Sequence, residues 1–157
     1  MKIGIIILGV IVILSAAIGL NQYLVDQTRQ QGFIFGNELQ RIQQDVRDLQ
    51  TKFYADIDIW EEEEISRTQL HERLQSHVDE FNDILLRYDA LEPPDGFAGA
   101  VELFRLSSLA QLESDEQYIL WITAYDESAK TRSDLQLKES FDLEMAALAE
   151  YNQAKGP

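Results

Sequence analysis

Six of the nine residues in the stretch DIDIWEEEE are carboxylates: Asp56, Asp58, Glu61, Glu62, Glu63 and Glu64. Clustered carboxylates are the ligands of hard cations such as Ca²⁺ and Mg²⁺, and an EF-hand loop sets them at fixed positions. The spacing here does not follow that pattern. With Asp56 as the first ligand, the fifth place falls on Trp60, the place reserved for glycine on Glu61, and the closing ligand on Arg67. The stretch is expected to be a solvated turn. An acidic knob for a protein partner and loose cation binding are the sharper alternatives, and these six residues are the candidate interaction surface.

Other chemistry-bearing residues are sparse. A di-iron carboxylate site needs Glu-x-x-His on two helices, but Thr68 and Leu74 stand three residues before His71 and His77. Six residues apart on a helix, the two histidines face opposite ways and do not share a metal simply. Both are expected to be structural or exposed. Cysteine is absent, which removes disulfides, thiolate metal sites, covalent haem and a cysteine nucleophile. Non-covalent haem on a histidine and Met145 loses to the plainer expectation that Met145 is core. Ser107 and Ser108 have no histidine beside them in sequence to activate a hydroxyl. No glycine-rich phosphate loop is present. Catalytic, metal and cofactor residues are all expected to be absent.

Aromatic rings make the remaining cluster. Tyr118, Trp121 and Tyr125 step by three and four, and Tyr54 and Trp60 close an earlier helix at the same height. Core packing is the plainer expectation. An aromatic-lined pocket for a small ligand, built from Trp60, Tyr118, Trp121 and Tyr125, is the sharper one.

The elements that position these residues are helical. Phe35, Leu39, Ile42, Val46, Leu49 and Phe53 form a seam continued by Ile57 and Trp60, with charge on the other faces. Ser66 and Gln69 spell a capping box, with Ile65 and Leu70 placed as a hydrophobic staple. The next stripe runs Leu70, Leu74, Val78, Phe81, Leu85, Tyr88, Leu91 and stops at Pro93-Pro94-Asp95-Gly96. A third helix, Phe97 to about Tyr125, is apolar around most of its girth; Ser114 to Gln117 would also fit a capping box and a break near Glu113. A polar stretch, Asp126 to Ser133, precedes a fourth helix carrying Leu137, Phe141, Met145, Leu148 and Tyr151. Four similar lengths with short links predict an all-α, up-down-up-down antiparallel four-helix bundle.

Residues 1–25 read differently. Ile3 to Leu20 is free of charge and rich in Ile, Val and Leu. As a helix it reaches about 27 Å, close to the hydrocarbon thickness of a bilayer. Tyr23 follows at headgroup level, and Ser15 and Gly19 form one small-xxx-small pair. An uncleaved signal anchor is the preferred reading. Cleavage near Ser15-Ala16-Ala17, giving a secreted protein, is the main rival, and pilin-like processing after Gly4 is a distant third. Lys2 lies before the segment and Arg29 after it, so the expected orientation is N-terminus cytoplasmic and body outside. The expected domains are a transmembrane anchor over 1–25, a juxtamembrane hinge over 26–36 with Gly32 and Gly36, and an acidic bundle over 37–157.

Charge narrows the partners. The 157 residues carry 28 carboxylates against 13 basic side chains, a net −15. Nucleic acid is bound through clustered Lys and Arg, and anionic lipid surfaces attract the same residues, so neither is an expected partner of the body. The expected role is protein–protein interaction at a membrane, as an accessory or scaffolding subunit of a complex, with the bilayer held through Ile3 to Leu20. The alternative is a sensor-type ectodomain binding a small molecule between its helices. An enzyme is not expected.

Overall fold

The computed structural model describes residues 26–156, which form four α-helices and, among the described residues, no strand. They are α1 (Asp26–Glu61), α2 (Arg67–Asp89), α3 (Ala98–Ala124) and α4 (Glu127–Lys155). The expected membrane segment over Ile3 to Leu20 lies outside the described residues; no helix among those described is long and apolar enough to cross a membrane.

Contacts between the helices show the antiparallel arrangement. Lys52 Nζ reaches Glu80 Oε1 at 3.0 Å, while Arg87, further along α2, reaches back to Glu38 and Asp45. His77 meets Asp115, and Tyr88 meets Ser108, so α3 runs against α2. Ser107 meets Ser140 and Ser114 meets Ser133, so α4 runs against α3.

Capping explains where α2 and α4 begin. The Ser66 hydroxyl accepts from the Gln69 amide, and the Gln69 side chain accepts from the Ser66 amide, completing the expected box. Asp126 caps α4 by accepting from the Ser128 and Ala129 amides. The polar stretch 126–133 is therefore not a loop. Its residues after Asp126 are the first two turns of α4, and the reversal is confined to Tyr125 and Asp126, with Tyr125 left-handed at φ 56°. Nor does α3 break near Glu113; it is continuous. α1 is longer than its partners at 36 residues and passes through Gly32 and Gly36 without interruption.

Two apolar clusters fill the interior. The larger gathers Phe35, Leu39, Ile42 and Leu49 from α1 with Phe81, Tyr88, Phe104 and Leu148. The smaller, towards the α1–α2 turn, contains Phe53, Ile57, Leu70, Leu74 and Ile122, with Trp60 and Trp121 packed on it. Each such side chain removed from water contributes on the order of 1.5–3 kcal/mol. Between the clusters lies a polar layer of Gln50, His77 and Asp115.

The α3–α4 pair is held by small residues. Ala100, Ser107 and Ser114 recur every seven positions on α3, and Ser133, Ser140 and Ala147 recur every seven on α4; all six are buried. Ser107 Oγ donates to the Ser140 carbonyl and Ser114 Oγ to the Ser133 carbonyl, each at 2.9 Å. A hydroxyl can reach a neighbouring helix's backbone only when the axes lie at the short end of the usual 8–10 Å range. Side chains the size of Ala and Ser permit that approach.

Candidate functional site

The end of the bundle where α1 turns into α2 carries most of the residues singled out by the sequence. Asp58, Glu61, Glu62, Glu63 and Glu64 are exposed there. Asp56 is not part of that surface. It is 7% exposed, and its carboxylate takes a 2.6 Å hydrogen bond from Arg73 of α2. The helical period explains the difference: Asp56 follows Phe53 and precedes Ile57 on the inward side of α1, whereas Asp58 points out. Glu63 takes the left-handed conformation at φ 61° to turn the chain.

The second tip, at Tyr125, touches the first. Arg67 donates from Nη2 to the Tyr125 hydroxyl, and its guanidinium lies 4.5 Å from the Tyr125 ring centre and 5.9 Å from that of Trp60. One cation thus joins the α1–α2 and α3–α4 turns. Tyr125 is nevertheless 68% exposed.

The four rings of the proposed pocket separate into two groups. Trp60, Tyr118 and Trp121 pack on the smaller cluster, with Tyr118 and Trp121 edge to face at 5.1 Å and Phe53 6.0 Å from Tyr118. Lys130 lies 5.7 Å from the centres of both the Tyr118 and Trp121 rings. Tyr125 stands apart from that packing, on the surface with Arg67. A shallow, open groove of about 440 Å³ lies elsewhere, between α1 and α2, walled by Asp45, Asp48, Lys52, Glu80, Asp83 and Arg87 over Leu49 and Ile84.

Deep in the molecule, His77 and Asp115 are 2% and 1% exposed. Imidazole Nε2 lies 2.8 Å from Asp115 Oδ2, the Gln50 amide donates to the same oxygen, and Gln111 donates to Oδ1 at 3.0 Å. The imidazole sits against Phe53 and Phe81 at ring-centre distances of 4.6 and 5.7 Å. Burial pushes the Asp115 carboxyl up, opposed first by the hydrogen bond from His77. An imidazole–carboxylate pair can transfer protons, but both groups here are sealed behind packed rings. Ser107 and Ser108 belong to other partners: Ser107 to Ser140, and Ser108, together with Gln43, to the Tyr88 hydroxyl. Burial also raises the Tyr88 phenol. Among the described residues no group of three or more His, Asp or Glu side chains is arranged to hold a metal.

Sequence periodicity misplaced one side chain of α4. Met145, expected in the core, is 42% exposed. The inward position belongs to its neighbour Glu144, whose Oε1 is buried without a hydrogen-bond partner. His77 similarly takes the fully buried place that apolar character had suggested for Val78, which is half-buried. His71 is exposed. The visible signal for Glu144 was its spacing, seven residues from both Leu137 and Tyr151.

The chain matches no protein-family model, no curated protein and no solved structure.

Proposed function

We propose that this chain is a single-pass membrane-anchored protein, N-terminus cytoplasmic, whose acidic helical bundle works outside the cytoplasm through protein contacts, as an accessory or scaffolding subunit of a membrane complex. The observation that carries this reading is the composite tip. Five exposed carboxylates, Asp58 and Glu61 to Glu64, stand beside an exposed Tyr125 and the Arg67 that links it to Trp60. Tyr, Trp and Arg are the residues in which binding energy concentrates at protein interfaces, and an acidic rim steers a basic partner.

Two further features support it. The apolar run Ile3 to Leu20 is long enough to hold the chain in a bilayer. α1 spans 36 residues, about 54 Å at the helical rise, so the tip is held far from the start of α1.

Gentle extraction from native membranes, followed by sizing and crosslinking, tests the reading. The expected result is co-migration with another membrane protein, lost when Glu61 to Glu64 are replaced by Lys together with Tyr125→Ala. A chain that always runs alone as a monomer overturns it. Protease cleavage at the Glu61–Glu64 turn in sealed vesicles decides the orientation.

A further inference from the structure

Glu144 lies half-buried in the row of α4 that carries Leu137, Phe141, Leu148 and Tyr151, and one of its carboxyl oxygens, Oε1, is buried where no donor reaches it. Arg47 of α1 lies close enough to act on its charge, so Glu144 borders the seam between α4 and α1. α1 with α2, α2 with α3, and α3 with α4 pack backbone against backbone along their lengths, whereas α1 and α4 approach each other less closely. Widening this seam leaves the serine ladder of α3 and α4 intact.

Two ionisable groups bear on Glu144 from the facing helices. Arg47 of α1 attracts it. Tyr88 of α2 presents a hydroxyl already engaged with Gln43 and Ser108, and its ionised form is disfavoured by Glu144.

We propose that Glu144 is a proton-operated latch on the α1–α4 seam: neutral, it closes inside the bundle; ionised, it draws water in and loosens the seam. A neutral carboxyl tolerates an unpaired oxygen at modest cost, whereas an ionised one without donors is far costlier to bury. Burial raises the Glu144 carboxyl to about 7, outweighing the attraction of Arg47. Its ordinary value is 4.5, so the closed form holds more protons than the open form between those limits. Closure is therefore favoured at mildly acidic pH and weakened as pH rises through about 7. The latch stands whether or not the tip binds a partner.

Amide exchange on the full chain in detergent micelles tests it, read as protection factors corrected for the intrinsic pH dependence. Protection around Glu144 and Arg47 should fall about twentyfold from about pH 5.5 to about pH 7.5 and then level off. Amides at Leu70 and Leu74 should not change, and in Glu144→Gln the fall should vanish. Titration of the Glu144 carboxyl carbon in the unmodified chain provides a check independent of the variant's folding. An equal fall at Leu70 and Leu74, its persistence in Glu144→Gln, or a carboxyl midpoint in the ordinary range overturns the latch.

Discussion

His77 Nε2 and Asp115 Oδ2 lie 2.8 Å apart between the two apolar clusters, so α2 and α3 are joined at mid-height by a hydrogen bond shielded from water. Gln50 brings α1 to the same carboxylate. Three helices thus converge on one side chain, which fixes their relative heights in a way that interchangeable apolar contacts do not.

Removing the carboxylate leaves His77, Gln50 and Gln111 donors without their acceptor. Asp115→Ala should cost about 3–5 kcal/mol, the usual penalty for breaking one side of a buried polar pair. Replacing both partners, as His77→Leu with Asp115→Leu, should cost less than the single change, because no buried polar group is left orphaned between those two. Urea midpoints of the three proteins decide the point. A double variant less stable than Asp115→Ala would mean that the pair contributes packing shape rather than polar satisfaction.

The α3–α4 ladder makes a second prediction, opposite in direction to ordinary core logic. A larger apolar residue usually strengthens a core, but Ser107 sits where its hydroxyl touches the Ser140 carbonyl. Ser107→Leu has no room and should cost about 3 kcal/mol by forcing the helices apart. Ser107→Ala keeps the approach and loses one hydrogen bond, about 1 kcal/mol. Thermal unfolding would measure both; a neutral Ser107→Leu would mean that the two helices are free to separate.

How much of this was readable from sequence differs between the two halves of the bundle. α1 and α2 interlock through large side chains, and the spacing of Phe35, Leu39, Ile42, Leu49 and Phe53 identified the buried side directly. Ser66 and the Pro93–Gly96 turn marked the ends. α3 and α4 meet through Ala and Ser, which hydropathy reads as weak or polar, so the closest helix pairing among the described residues left almost no apolar signal. One residue of rotation is about 100° on a helix, enough to exchange Met145 for Glu144 and Val78 for His77. The His77–Asp115 contact joins residues distant in sequence and had no local signature. The tip was legible in composition alone, and the burial of Asp56 against Arg73 was not.

A pH effect of ordinary sign is expected at the start of α4. The Asp126 carboxylate is held down to about 2, first by the Ser128 hydroxyl and then by Arg132. With the folded value depressed, the unfolded chain takes up the proton first. The cap's contribution is thus complete above its ordinary value of 3.8 and lost as pH falls towards about 2. Amides of Ser128 and Ala129 should lose protection across that window. Asp126→Asn, which retains an acceptor at the cap, should lack this acid step. The same step in Asp126→Asn would assign it to another carboxylate.

The two left-handed turn residues should respond differently to glycine. Glu63 and Tyr125 adopt φ of 61° and 56°, where a side chain costs roughly 1 kcal/mol that glycine avoids. Glu63 is exposed, so Glu63→Gly should stabilise the bundle by about 0.5–1 kcal/mol, the relief being partly offset by greater freedom in the unfolded chain. Tyr125→Gly gains the same relief but loses the Arg67 guanidinium on its ring, a contact of about 0.5–1 kcal/mol at an exposed site. Its stability should stay nearly unchanged. In Arg67→Ala, where that contact is already gone, adding Tyr125→Gly should become stabilising like Glu63→Gly. Denaturation of the single and double variants measures the coupling. If Tyr125→Gly stabilises equally with and without Arg67, the bridge between the two tips contributes nothing to the fold, and the strain at Tyr125 has no compensation there.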